Sequence, residues 1–283
     1  TPTDPLADGA HTITFTATDA AGNTNTTPTS FDLTVDTIAP LAPAIVNATD
    51  NVGTVLAPVT SGQTTDDTTP TLNGTAAANA SIIIYENGVQ VGTALADGNG
   101  AWSFTPTTLA NGSHTWTATA TDAAGNVSPP SAVFTVIVDT VAPLAPVIAL
   151  AIDDQGSVTG SLSSGQSTDD TLPRLTGTSE PNAIVRIYEG VTLLGTTTAN
   201  ASGAWEVTLT TPLGAGPHTL FAQATDAAGN NSVPSASFSL TIDLTPPPVP
   251  TLLTVTDDVG GNVVLNSGQL TNDALPTLTG TAE

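Results

Sequence analysis

The chain is 283 residues long and carries 2 Lys plus Arg against 25 Asp plus Glu, a net charge of −23, with 39% hydrophobic residues and neither Cys nor Met. Nucleic acid and anionic membrane surfaces call for a basic footprint and are excluded as partners. Disulfides and Cys metal sites are excluded as well, while the hydrophobic fraction is too high for an acidic disordered chain.

No run approaches the roughly 18 apolar residues of a membrane helix, so membrane insertion is not expected. The absence of Met and of a signal peptide predicts an internal segment of something longer.

Taken in chain order, the elements repeat. His11-Thr-Ile-Thr-Phe-Thr-Ala sets Ile13, Phe15 and Ala17 on one side, and TDAAGN follows at Thr18. VDTIAP starts at Val35, and SGQTTDDTTPTLNGTA starts at Ser61. Predicted strands then fall at Thr71–Thr75, Ile82–Tyr85, Val89–Leu95 and Ala101–Thr105, with Asn87-Gly88 as a tight hairpin turn. In the next strand Trp116, Ala118 and Ala120 alternate with Thr, TDAAGN returns at Thr121, and a strand over Ala132–Val138 leads into VDTVAP. The cycle then runs again through SGQSTDDTLPRLTGTS at Ser164, GAWEV at Gly203, Leu220/Ala222/Ala224, TDAAGN at Thr225 and IDLTPP at Ile242.

TDAAGN thus recurs after 103 and then 104 residues. An internal period governs the fold reading. The expected domains are the end of one repeat (1–38), two complete repeats (39–141 and 142–245) and the start of another (246–283). About seven short strands per hundred residues is the immunoglobulin-like pattern. The fold class is all-β, with tandem immunoglobulin-like β-sandwich domains forming an elongated rod. Trp102, Trp116 and Trp205 lie on alternating strands and read as core.

The acids cluster at loops and strand ends. Labelling strands A to G, the A–B loop lies at the bottom of a sandwich and the B–C and F–G loops at its top. Recurring sets are Asp19/Asp122/Asp226, Asp36/Asp139/Asp243, Asp50/Asp153/Asp257, Asp154/Asp258, Asp66/Asp169, Asp67/Asp170/Asp273 and Glu180/Glu283. The junction between the two complete repeats is expected to gather Asp50, Asp66, Asp67 and Asp139 from one side, with Glu180 and Asp226 from the other. Two unit charges 4 Å apart repel by about 4 kcal/mol at an effective dielectric near 20, so a counter-ion is implied. Calcium suits irregular carboxylate and carbonyl oxygens, magnesium demands a strict octahedron, and zinc wants His or Cys.

Bland readings stand beside this one. An Asp before Gly-Asn can cap its own turn, and Asp-Asp before Thr-x-Pro can be a solvated turn. Glu86 and Glu189 read as plain surface beside a hairpin tip, and Arg174 and Arg186 as strand-face solubility residues.

The motifs VDT-x-AP, TDDTTPTLNGTA, IYENGVQVGTA, GAWSF and TATDAAGN, spread over the whole chain, resemble the bacterial Ig-like repeats of giant RTX-type and Bap-type surface adhesins. The resemblance implies long arrays outside Gram-negative cells, exported by type I secretion, that support adhesion and biofilm formation. It implies Ca2+ at the inter-repeat linkers, carried over here to Asp36, Asp139 and Asp243 with Asp122, Asp226, Asn126, Asn230, Glu180 and Glu283. Glycine-rich RTX nonapeptides are absent from this sequence. The partners of each repeat are then its neighbours in a monomeric chain, with host-surface or biofilm-matrix ligands bound elsewhere.

Near-identical repeats favour a spacer. A glycan- or host-protein-binding module is the alternative, with Tyr85 and Tyr188 as the aromatics to watch. Catalysis is not expected: His11, His114 and His218 share one repeated position, which suits a structural hydrogen bond, and the paired acids lie at seams rather than in a cleft.

Overall fold

The computed structural model describes residues 4–53 and 56–282. Every element among them is a strand. The first repeat contributes β1 (Gly9–Phe15) and β2 (Thr29–Val35). The second contains β3 (Ala44–Thr49), β4 (Thr64–Thr65), β5 (Thr71–Thr75), β6 (Ser81–Glu86), β7 (Val89–Leu95), β8 (Ala101–Phe104), β9 (Gly112–Thr121) and β10 (Phe134–Val138). The third contains β11 (Val147–Asp153), β12 (Gly160–Leu162), β13 (Gln166–Thr168), β14 (Arg174–Thr178), β15 (Ile184–Glu189), β16 (Thr192–Thr198), β17 (Ala204–Thr208), β18 (Gly216–Thr225) and β19 (Phe238–Ile242). The last adds β20 (Thr251–Asp257), β21 (Val263–Leu265) and β22 (Thr277–Thr281).

Each complete repeat is built from two sheets. In the second repeat they run β3-β5-β8 and β4-β10-β9-β6-β7; in the third, β12-β11-β14-β17 and β13-β19-β18-β15-β16. All pairings are antiparallel except β4 on β10 and β13 on β19. The first strand of a repeat therefore crosses from one sheet to the other, and the crossing segment holds the Asp50–Asp67 and Asp153–Asp170 acids.

Alternation fixes the core. Trp116, Ala118 and Ala120 on β9 and Leu220, Ala222 and Ala224 on β18 are fully buried. The β9 residues meet Leu72, Ile82, Ile84, Val136 and Val138 in one repeat, and Leu220 and Ala222 meet Leu175, Val185, Ile187, Leu240 and Ile242 in the next. Phe104 meets Trp116 edge-on at 6.4 Å. Asn87 and Gly88 take φ of 49° and 82° at the β6–β7 turn, as a tight primed hairpin requires.

One contact explains two recurrent motifs. Gly74 pairs across the sheet with Trp102, and Gly177 with Trp205. A Cβ on either glycine would overlap the indole and a main-chain carbonyl. The Gly of NGT and TGT and the Trp of GAW are two halves of one packing unit.

Candidate metal centre

The linker between the complete repeats is tied at several points. Asp139 follows β10 directly, and its N–H donates to the Thr65 carbonyl at 2.9 Å. Its Oδ1 accepts the Val141 N–H at 2.9 Å, an Asx turn that starts the linker. Its carbonyl accepts Nδ2 of Asn230, from the next repeat, at 2.8 Å. At the preceding linker the Asp36 carbonyl accepts Asn126 Nδ2 at 3.1 Å, and Asp36 Oδ1 caps Ile38. Asp243 makes the same turn with Thr245.

The TDAAGN acids cap their own loops in all three copies. Asp226 Oδ1 accepts the N–H groups of Ala228, Gly229 and Asn230 at 2.9 Å each, and Oδ2 accepts Asn230 Nδ2 at 2.9 Å. Asp122 does the same toward Ala124 and Asn126. Hydrogen bonds from the side chains of Asn23 and Asn126, with backbone N–H bonds in support, hold the Asp19 and Asp122 carboxyls below the ordinary range. Among the described residues Asp226 Oδ2 has one donor, Asn230 Nδ2, which leaves it a lone pair.

Asp50 and Asp67 are buried, at 5% and 1% exposure. Asp50 Oδ2 accepts the Thr65 hydroxyl at 2.7 Å, and Asp67 Oδ1 accepts the Thr69 N–H at 2.7 Å. The solvated-turn reading of Asp67 therefore gives way to a buried, hydrogen-bonded carboxylate. Asp66 lies against Gly53, where a Cβ would overlap its carboxyl. Its Oδ1 is buried without a hydrogen-bond partner among the described residues. Burial pushes the Asp66 carboxyl up, and the carboxylates of Asp50, Asp226 and Asp67 push it further. The acids of the second repeat and the loop of the third are thus electrostatic neighbours.

The third repeat repeats the arrangement. Asp153 and Asp170 are 5% and 2% exposed, Asp153 Oδ2 accepts the Thr168 hydroxyl at 2.6 Å, and Asp169 lies against Gly156. Asp170 is pushed up by burial and then by Asp154 and Asp153. Asp154 is exposed, with Gln155 on its Oδ1. Glu180 is exposed and, with its neighbour Pro181, shares a surface recess with Leu144 and Ala145 of the linker. Glu283 lies outside the described residues.

The available donors are carboxylates, amide oxygens and main-chain carbonyls. That all-oxygen set fits a hard cation such as calcium rather than zinc, and the unpartnered Asp66 Oδ1 is an oxygen free to take one. The acids adjoin without forming a closed cage: among the described residues no three acid or histidine side chains are set to hold an ion.

Four features were not legible in the sequence. Asp8 and Asn111 brace the linkers, each accepting from a threonine: Thr37 N–H and Thr140 N–H lie 3.0 and 3.1 Å from their oxygens. At the third linker Ala215 and Leu244 stand in these places, so this tie is lost. Glu86 and Glu189 are not plain surface. They face His114 and His218 at 2.5 and 2.9 Å, while the other ring nitrogen of each His meets the Ala110 or Gly214 carbonyl. Arg186 reaches the Thr225 hydroxyl at 2.6 Å, whereas Arg174 pairs with Glu206 in solvent. Tyr188 stacks on Phe221 with ring centroids 5.5 Å apart.

No curated protein matches the chain. Among solved structures, it resembles the Clostridium thermocellum CbhA fibronectin(III)-like modules at 15% identity, covering 65% of this chain and 90% of that one, with a TM-score of 0.41. It also resembles a biofilm associated protein BSP domain at 22% identity over 66% of this chain and 29% of that one, TM-score 0.26. The D0-D1 domain of intimin is similar at 15% identity, covering 71% and 99%, TM-score 0.25. The bacterial Ig-like domain family model matches residues 1–37, 45–140 and 144–244. With two-sheet sandwiches repeating at that same spacing, the chain belongs to the bacterial Ig-like domain family.

Proposed function

We propose that this chain is a calcium-stiffened extender segment of a large bacterial cell-surface adhesin, secreted to the cell exterior and supporting adhesion and biofilm formation. The observation that carries the reading is Asp66, whose carboxyl is raised by burial and by Asp50 and Asp67 of its own repeat and Asp226 of the next. In a chain of charge −23, part of the repulsion gathers at this junction.

Asp50, Asp66, Asp67, Asp139, Asp226 and Asn230 would hold the ion at the seam between the complete repeats. Asp36, Asp122 and Asn126 are their counterparts at the preceding seam. Asp153, Asp154, Asp169, Asp170 and Asp243 are those at the following one, and Glu180 and Glu283 would supply a further carboxylate from the next repeat. When bound, calcium would neutralise the seam and join the two sides through shared oxygens. The residues' own part is to fix the linker: Asp139 starts it, and Asn230 clasps it from the next repeat. Low-affinity binding suits an extracellular module, whose calcium sites have Kd values of about 0.1–1 mM.

Isothermal titration of calcium into the whole chain tests this. Saturable binding that D66N and D226N weaken supports the reading. A titration without binding heat at several temperatures, or one that both variants leave unchanged, rejects it.

A further inference from the structure

The TDAAGN loop does not sit alike in its copies. In the second repeat Ala124 and Gly125 are exposed; in the third, Ala228 is 2% exposed and Gly229 is buried. Thr225 and Asp226 are buried as well, at 1% and 9%. Both loops are capped by their own Asp in nearly the same way, the third adding the Gly229 N–H, so most of the difference in burial comes from outside the loop. It comes from the preceding repeat, whose Asp50 and Ala57 face the third-repeat loop, whereas ahead of the second-repeat loop the described residues include only the last two strands of a repeat. A recess of about 260 Å3 in the second repeat is walled by Asp50, Ala57, Pro58, Val59 and Gln63, and Ala227 forms its far side. The wall is stiff, because Val59 and Ala48 exchange two main-chain hydrogen bonds of 2.8 Å.

The third repeat has the same recess 103 residues on. It measures about 460 Å3 and is lined by Asp153, Gly160, Ser161, Leu162 and Gln166. Leu162 pairs with Ala151 as Val59 pairs with Ala48, so its wall is braced in the same way.

We infer that this recess is a docking socket, and that its occupant is the Ala-Ala tip of an F–G loop from an adjoining bacterial Ig-like repeat, held by packing rather than by a metal ion. In the second repeat the tip lies at the edge of the recess: Ala227 lines it while still exposed, and Ala228 next to it is buried. Alanines are small enough to enter beside Asp50 and bring no charge of their own. The tip then has a distinct task from the Asp and Asn of the same motif: these shape the loop and clasp the linker, and the alanines close the seam. The contact is separable from the calcium reading: the tip brings no carboxylate of its own, although Asp50, a proposed calcium ligand, is one wall of the socket.

Spin labels on the exposed positions Gln90 and Thr192, introduced as Q90C and T192C in this cysteine-free chain, report the geometry between the complete repeats. The measurement is made in excess chelator, so the outcome does not depend on calcium. The inference expects a narrow distance distribution in the labelled parent, several-fold broader in A227D/A228D, and unchanged in A123D/A124D, which alters the same motif where it is exposed. Ala57→Trp, which blocks the socket from the other repeat, is expected to broaden the distribution without altering the loop. A parent distribution already broad in chelator, or one that neither A227D/A228D nor Ala57→Trp widens, overturns it.

Discussion

Asn230 donates its side-chain amide to the main-chain carbonyl of Asp139, 2.8 Å away and 91 residues earlier in the chain. The same amide also meets Asp226 Oδ2 at 2.9 Å, so one side chain joins the loop of a repeat to the linker that enters it. Replacing Asn230 by Ala is expected to cost about 1 kcal/mol, the usual net worth of such a bond. Chemical denaturation followed by Trp fluorescence reads this loss, and an N230A midpoint equal to the parent's contradicts it.

Asp66 gives the opposite sign. Its carboxyl is raised, so the folded state binds a proton more readily than the unfolded one. Stability then falls as pH climbs from the ordinary Asp value through the raised one. In chelator near neutral pH, D66N is therefore expected to raise the thermal midpoint of the second repeat. In calcium the same variant is expected to lose part of the calcium-induced gain. A D66N midpoint below the parent's in chelator rejects the account of this residue.

Asp122 provides the contrast. Hydrogen bonds led by the Asn126 side chain hold its carboxyl low. The stability it adds is present above the ordinary Asp value and is lost as pH falls through the lowered one. D122N is expected to flatten the acid limb of the stability curve, as read by pH-dependent thermal melts. An unaltered acid limb contradicts this.

The glycine–tryptophan unit predicts an asymmetry that a propensity argument misses. Gly74 lies in a strand, where replacing glycine is ordinarily neutral or favourable. Here a Cβ would meet the Trp102 ring and the Ala44 carbonyl. Gly74→Ala is expected to destabilise the repeat by about 1–3 kcal/mol through overpacking, and Trp102→Ala by about 3–5 kcal/mol. Urea denaturation measures both. A neutral Gly74→Ala would contradict the packing.

The strands were legible because each buries one face: Trp116, Ala118 and Ala120 alternate with threonines, and the structure buries the first three completely. The two-residue strand Thr64–Thr65 carries no such signal. It is fixed by parallel pairing to Ile137 and Val138, more than seventy residues on. Recurrence located the acids at loops and ends but not their depth. Asp50 and Asp67 are buried because Thr65 and Thr69 supply local donors, a pairing visible only once the crossing segment is folded. Glu86 is distant from His114 in sequence and adjacent to it across β6 and β9, so it read as surface.

The most direct test of the seam is small-angle X-ray scattering of the whole chain in millimolar calcium and again in excess chelator. The account predicts one fixed maximum dimension in calcium and a broader spread of interdomain arrangements after chelation, limited by the remaining linker and loop contacts. Superimposable profiles under the two conditions would contradict calcium stiffening and leave the seam held by its hydrogen bonds and packing alone.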